Sequence, residues 1–162
     1  RWRALAEAAD ARAARLAALL GVSVLAACGG EAPQPAQFVP PAPAVAELQG
    51  PLLARYTLLP TLALDAEGAR RYGIERREGT ALLLVALRRP EAGDELPAEG
   101  EVRAQARDLA GRHQHVAMRR IESGDYVDHV GVVAVGRRDV VRVEVSVEAD
   151  GRRQQFDFQR SF

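Results

Sequence analysis

The side chains whose type and spacing come nearest to chemistry are three histidines. His113 and His115 are separated by one residue. Residues two apart on a strand share a face, so both imidazoles can reach one metal ion. His129 is the third, with Asp125 and Asp128 as carboxylates close to it in sequence. A protein metal site takes three or four ligands, and the His pair supplies two. The simpler reading is an exposed polar strand beside a turn. His113, His115 and His129 are therefore metal candidates only, and no cofactor is expected.

Catalytic patterns do not appear. Ser23, Ser123, Ser146 and Ser161 lie in no G-x-S-x-G elbow. No phosphate loop or dinucleotide fingerprint is present. Asp125 and Asp128 are three apart, which places them on opposite faces of a strand. The expectation is a protein that is not an enzyme. Arg70, Arg71, Arg76 and Arg77 form a basic cluster that could meet an anionic headgroup, but Glu75 and Glu78 beside them fit a solvated cap. Tyr56 and Tyr72 read as core or rim aromatics.

The one cysteine, Cys28, can form neither an internal disulfide nor a zinc cluster by itself. Its surroundings are informative. Arg1, Arg3, Arg12 and Arg15 give a positive start, diluted by Glu7 and Asp10, and Leu16 to Ala27 then runs without a charge. Twelve residues are too few to span a bilayer, which takes about 20, but they suit the apolar core of a signal peptide. The run ends in Leu25-Ala26-Ala27-Cys28, which resembles the lipobox of bacterial lipoproteins. That resemblance implies cleavage before Cys28, lipidation of its thiol, and a lipid bilayer as partner. Two or more acyl chains anchor stably where one does not. Gly29 stands where lipoproteins retained at the inner membrane often carry Asp, so the resemblance favours an outer-membrane anchor facing the periplasm.

From Gly29 to Gly50 the composition shifts to Pro33, Pro35, Pro40, Pro41 and Pro43 among Ala, Gly and Gln. Proline fixes φ and removes a donor, so a disordered linker is expected, able to reach about 70 Å at about 3.1 Å per residue. Three parts follow: a signal peptide at 1–27, the lipidated Cys with its linker at 28–50, and a folded domain at 51–162. Without residues 1–27 the chain keeps 18 Arg against 20 acids. Such a near-neutral balance leaves no electrostatic footprint for nucleic acid. All basic residues are Arg, which fits a GC-rich genome.

The elements that must position the histidines are strands. Val141, Val143, Val145 and Val147 alternate with Arg142, Glu144, Ser146 and Glu148, a period of two. Asp150-Gly151 then marks a hairpin turn, and Phe156 and Phe158 carry a last strand. Val102, Ala104 and Ala106 alternate in the same way. Val116 and Met118 lead to Ile121 before a turn at Glu122 to Asp125. Tyr126 to Val135, Ala81 to Leu87, and Leu52 to Leu62 with a bend at Pro60 complete the set. Asp65 to Tyr72 is the one helical piece, with Asp65 as N-cap, Arg70 and Arg71 late, and Gly73 as C-cap. About seven strands at this spacing predict a mainly β, antiparallel, immunoglobulin-like sandwich with one short helix.

Ala54-Arg55-Tyr56, Ala69 to Ile74, Ala81-Leu82-Leu83 and the ending Phe156-x-Phe158-x-x-x-Phe162 also resemble a family of small Gram-negative envelope proteins catalogued as a domain of unknown function. The resemblance spans about residues 52–162. It implies a compact β-rich domain and supplies no activity. Members often carry Asn where this chain has Leu84, so any role of that Asn does not transfer. The function expected is a membrane-anchored envelope lipoprotein whose sandwich binds an envelope protein partner or serves as structure. A small-ligand or metal-binding lipoprotein is the alternative, and an enzyme the third.

Overall fold

The computed structural model describes residues 43–162. The expected signal peptide, its Leu25-Ala26-Ala27-Cys28 motif and most of the Pro-rich linker lie outside the described residues. Two antiparallel sheets face each other across one hydrophobic core. The first holds β1 (Ala44–Leu48), β2 (Leu52–Pro60), β3 (Thr80–Glu91), β8 (Tyr126–Ala134) and β7 (Arg119–Ser123) in that order, with β4 (Asp94–Pro97) paired to β3. The second runs β10 (Arg152–Ser161), β9 (Val140–Ala149), β5 (Glu101–Arg107), β6 (His113–Val116). The sandwich read from the alternation is what forms, with ten strands described rather than about seven.

The extra strands have identifiable origins. The run from Val116 to Ile121 divides: β6 belongs to the second sheet and β7 to the first. Gly131 on β8 explains the tight crossing. A Cβ there would stand 2.6 Å from a Val116 methyl carbon and 2.8 Å from the Met118 sulfur. β4 is the return arm of a hairpin on β3, turning at Ala92 and Gly93, both at positive φ. β1 uses Ala44–Leu48, the final part of the segment assigned to the linker, and pairs with β2 along its whole length.

Strand phase decides what is buried. On β5 and β9 every second residue enters the core: Val102, Ala104 and Ala106 on one, Val141, Val143, Val145 and Val147 on the other. Each such burial is worth about 1.5–3 kcal/mol for a valine-sized side chain. Ala81, Leu83, Val85 and Leu87 of β3 meet them from the first sheet. The β9–β10 hairpin turns at Asp150 and Gly151, both left-handed as the two-residue turn requires.

β3 differs from β5 and β9 in being buried on both faces. The helix α1 (Ala66–Tyr72) explains this. Ile74, just past its end, packs with Leu82 and Val130, joined by Leu64, Tyr72, Leu84 and Ile121. These residues form a second, smaller core on the outside of the first sheet. A seven-residue helix is not stable alone, and its ends are secured as the sequence predicts. The Asp65 carboxylate accepts the Gly68 N–H at 2.6 Å, and Gly73 closes the helix at φ 60°. Arg119 adds a bond from β7 to the Tyr72 carbonyl at 2.8 Å. Thr61, fully buried, accepts the Arg77 N–H at 3.0 Å and so ties the two ends of the excursion together.

Candidate ligand-binding face

No helix or loop covers the outer face of the second sheet among the described residues. The residues out of phase with the core come to this face: Glu101, Arg103, Gln105 and Arg107 from β5, and Arg142, Glu144, Ser146 and Glu148 from β9. β10 adds Arg153, Gln155, Asp157 and Gln159, and β6 adds His113 and His115. The register sets them in rows across the strands. His115, Gln105, Glu144 and Asp157 form one row, and His113, Arg107, Arg142 and Gln159 form the next. One depression of about 180 Å3 lies along Arg103, Gln105, His115, Glu144, Ser146 and Gln155. A second of about 270 Å3 adjoins it at Arg107, His113, Arg142 and Asp157.

Charge pairing on this face is local. Arg103 bonds Glu101 at 2.8 Å, Arg153 bonds Glu148 at 3.0 Å, and Arg142 meets Asp157 at 2.9 Å. Gln105 donates its amide to Glu144 at 3.3 Å. At the strand end, Asp108 takes both the backbone N–H and the guanidinium of Arg112, at 2.8 and 2.6 Å. The backbone bond leads in holding the Asp108 carboxyl below its ordinary pKa, against a smaller opposing effect of burial. The exposed pairs Arg103–Glu101, Arg153–Glu148 and Arg142–Asp157 contribute about 0–1 kcal/mol each. Their chemical capacity is recognition: imidazole, amide, hydroxyl, guanidinium and carboxylate groups presented on a rigid sheet.

The structure separates the three histidines. His113 and His115 share the outer face of β6, as their spacing predicts. His129 lies on β8 opposite Val85, a core residue, and is 5% exposed. Its Nε2 is 3.2 Å from the Gly100 carbonyl, where β5 begins. Nδ1 is buried with no hydrogen-bond partner among the described residues. Burial lowers the His129 pKa, opposed by the Gly100 carbonyl. The neutral ring with Nε2–H donating is therefore the favoured form, and His129 links the two sheets instead of joining a metal site. Among the described residues no three His, Cys, Asp or Glu side chains are grouped to hold a metal.

Asp128 has a different role from the metal-ligand candidacy considered for it. It lies on the outside of the first sheet and accepts the Tyr72 hydroxyl at 3.1 Å and Arg88 at 3.4 Å. Arg88 also donates to the Val127 carbonyl at 3.2 Å and lies over the Tyr126 ring at 5.8 Å. Burial, then the Asp128 charge, raise the Tyr72 pKa. Asp125 is exposed in the turn before β8. The four Arg around α1 disperse: Arg71 pairs with Glu67 at 3.2 Å, and Arg76 donates to the Leu62 carbonyl at 3.1 Å. Sequence reasoning missed the Tyr72–Asp128–Arg88 cluster. Its signal was available, because Arg88 continues the phase of Leu82, Leu84 and Ala86, the face that α1 covers.

A family model described as a domain of unknown function, DUF4426, matches residues 47–162. No curated protein matches the chain. Among solved structures, a DUF4426 family protein from Pseudomonas aeruginosa is similar at 23% identity and TM-score 0.62, covering 75% of this chain and 94% of the other. FetP of uropathogenic E. coli strain F11, expressed recombinantly in the periplasm of E. coli, is similar at 10% identity and TM-score 0.54, covering 75% and 93%. A copper-bound variant of that FetP matches equally, at 10% identity and TM-score 0.54, covering 75% and 95%. At these identities the likeness is one of fold.

Proposed function

The chain belongs to the DUF4426 family, a domain of unknown function, and from that premise we propose that it is a noncatalytic, lipid-anchored envelope protein. Its sandwich binds an envelope partner with the bare face of the second sheet. One observation carries this reading: four neighbouring strands present a continuous polar face with two depressions, and no element of the described chain covers it. The sandwich relative expressed in the periplasm supports an envelope setting. Cys28, after its apolar run, supplies the anchor in this reading, facing the periplasm from the outer membrane.

The test has two parts. The first is mass spectrometry of the mature N-terminus, where a diacylated Cys28 is expected and a Cys28→Ser chain should remain uncleaved. An unmodified Cys28 still joined to Ala27 would sink the anchor. The second is cross-linking in envelopes with the full chain and with a Gln105→Arg, Gln155→Arg double variant. The expected result is one partner lost in the double variant; equal capture by both chains would reject the bare face as the binding surface.

A second reading, a transition-metal site at His113 and His115, is favoured by the copper-bound variant of FetP. It stands second because two imidazoles fall short of three or four ligands. Copper(II) titration of the full chain beside His113→Ala checks it, with no binding at micromolar metal removing it.

A further inference from the structure

Resting on the bare face as a binding surface, we propose that one end of it, where β5 ends and β6 begins, is a phosphate site formed by Arg107, Arg142 and His113. The register makes these three side chains neighbours on three adjacent strands: Arg107 is opposite His113 on one side and opposite Arg142 on the other. Like charges directly opposite on paired strands destabilise a sheet, so the Arg107–Arg142 pair is a cost that the fold carries. The acids nearby do not remove it. Asp157 is taken by Arg142 and Asp108 by Arg112, while Glu144 is in the neighbouring row, opposite Gln105 and Asp157 and not opposite either Arg. Arg107 is exposed and makes no ion pair among the described residues.

The depression of about 270 Å3 meets another, of about 340 Å3, at this row; Arg107 and Arg142 line both, and His113 lines the former. An anion seated there would offset the repulsion between the guanidinium groups. Arg142 spends one nitrogen on Asp157 at 2.9 Å, which leaves other donors of its five to point outward. Two guanidinium groups and an imidazole supply donors from three adjacent strands. That suits the tetrahedral oxygens of a phosphate better than the coplanar pair of a carboxylate. The phosphate can be inorganic or the headgroup of an anionic lipid.

The experiment uses the full chain and two probes. Inorganic phosphate is titrated against 15N-labelled protein at constant ionic strength, with chloride as the control. Flotation with phosphatidylglycerol vesicles, against phosphatidylcholine vesicles, forms the second arm. The proposal expects shifts centred on Arg107, His113 and Arg142, or tighter flotation with the anionic vesicles than with phosphatidylcholine, since the acyl chains on Cys28 would bind both alike, and the arm that responds identifies the source. Arg107→Gln should weaken binding about tenfold or more, about 1.4 kcal/mol, while Arg71→Gln, at a residue paired to Glu67 on α1 away from this face, should leave it unchanged. No response in either arm, or an Arg107→Gln response equal to wild type, overturns the proposal. Loss of phosphate binding with partner cross-linking intact rejects this site alone. Loss of cross-linking specificity with phosphate binding intact rejects the partner reading alone.

Discussion

The outer faces of the two sheets are built from the same alternation and have opposite fates. On the first sheet, Leu82 and Val130 point outward and are fully buried, because Ile74, Leu64 and Tyr72 close over them. On the second, Gln105, Glu144 and Gln155 point outward into open depressions. A strand covered on both sides reads as a near-continuous apolar run, and one covered on one side reads as strict alternation. β3 is the first kind, β5 and β9 the second. The proposed binding surface rests on this contrast: polar groups on a covered face must satisfy one another, and those on a bare face are available to a ligand.

The sharpest way to break this comparison is to truncate one residue on each face. Leu82→Ala should cost about 2–5 kcal/mol, since it empties a fully enclosed position. Gln105→Ala should change stability by less than about 0.5 kcal/mol. Denaturant unfolding reads both. A Leu82→Ala cost as small as that of Gln105→Ala would mean that α1 does not seal the first sheet.

Next in size is Asp128→Asn. It removes the charge opposite Arg88, whose side chain is only 11% exposed. Leaving a largely buried cation unpaired should cost about 2–3 kcal/mol, somewhat below the 3–5 kcal/mol of a fully buried pair. Ultraviolet titration sharpens the assignment. The Tyr72 pKa should fall as the Asp128 charge disappears, yet stay above its ordinary value because burial is the larger cause. An unmoved Tyr72 titration would show that the two groups are not coupled.

His129 tests the link between the sheets. Its folded pKa lies below its ordinary value near 6.5, so the unfolded chain takes up the proton first. Stability is therefore unaffected by this group at pH above that value. It falls as pH drops below about 6.5, by at most about 1.4 kcal/mol per pH unit for one proton, and levels off beneath the folded pKa. His129→Gln can still donate to the Gly100 carbonyl but cannot titrate, and should flatten this part of the curve. A slope unchanged in His129→Gln would place the acid sensitivity elsewhere.

How much of this was legible in the sequence depended on whether the signal was local. The β9–β10 hairpin at Asp150-Gly151 and the helix between Asp65 and Gly73 were read correctly, because caps and tight turns need particular residues at particular positions. The division of Val116 to Ile121 between sheets was not read, since alternation continues through Met118 and the deciding feature, space at Gly131, lies on another strand. β1 was absorbed into the linker because Pro40, Pro41 and Pro43 dominate the composition just before it. His129 could have been placed: it is in phase with Gly131 and Val133, the buried side of β8. The rows on the bare face were beyond reach, because alternation shows which residues share a face but not which strands become neighbours.

The smallest expected effect concerns that face most directly. Arg103 bonds Glu101 at 2.8 Å with both side chains more than half exposed. An exposed pair gains little Coulomb energy in water and loses side-chain freedom. Arg103→Ala should therefore leave the unfolding midpoint within error, and 1 M salt should change the wild type and the variant alike at this site, because screening removes what little the pair contributes. A loss above about 1 kcal/mol would mean that the pair is sheltered from solvent. The second sheet would then have a covered outer face like the first, and the reason for locating recognition there would be gone.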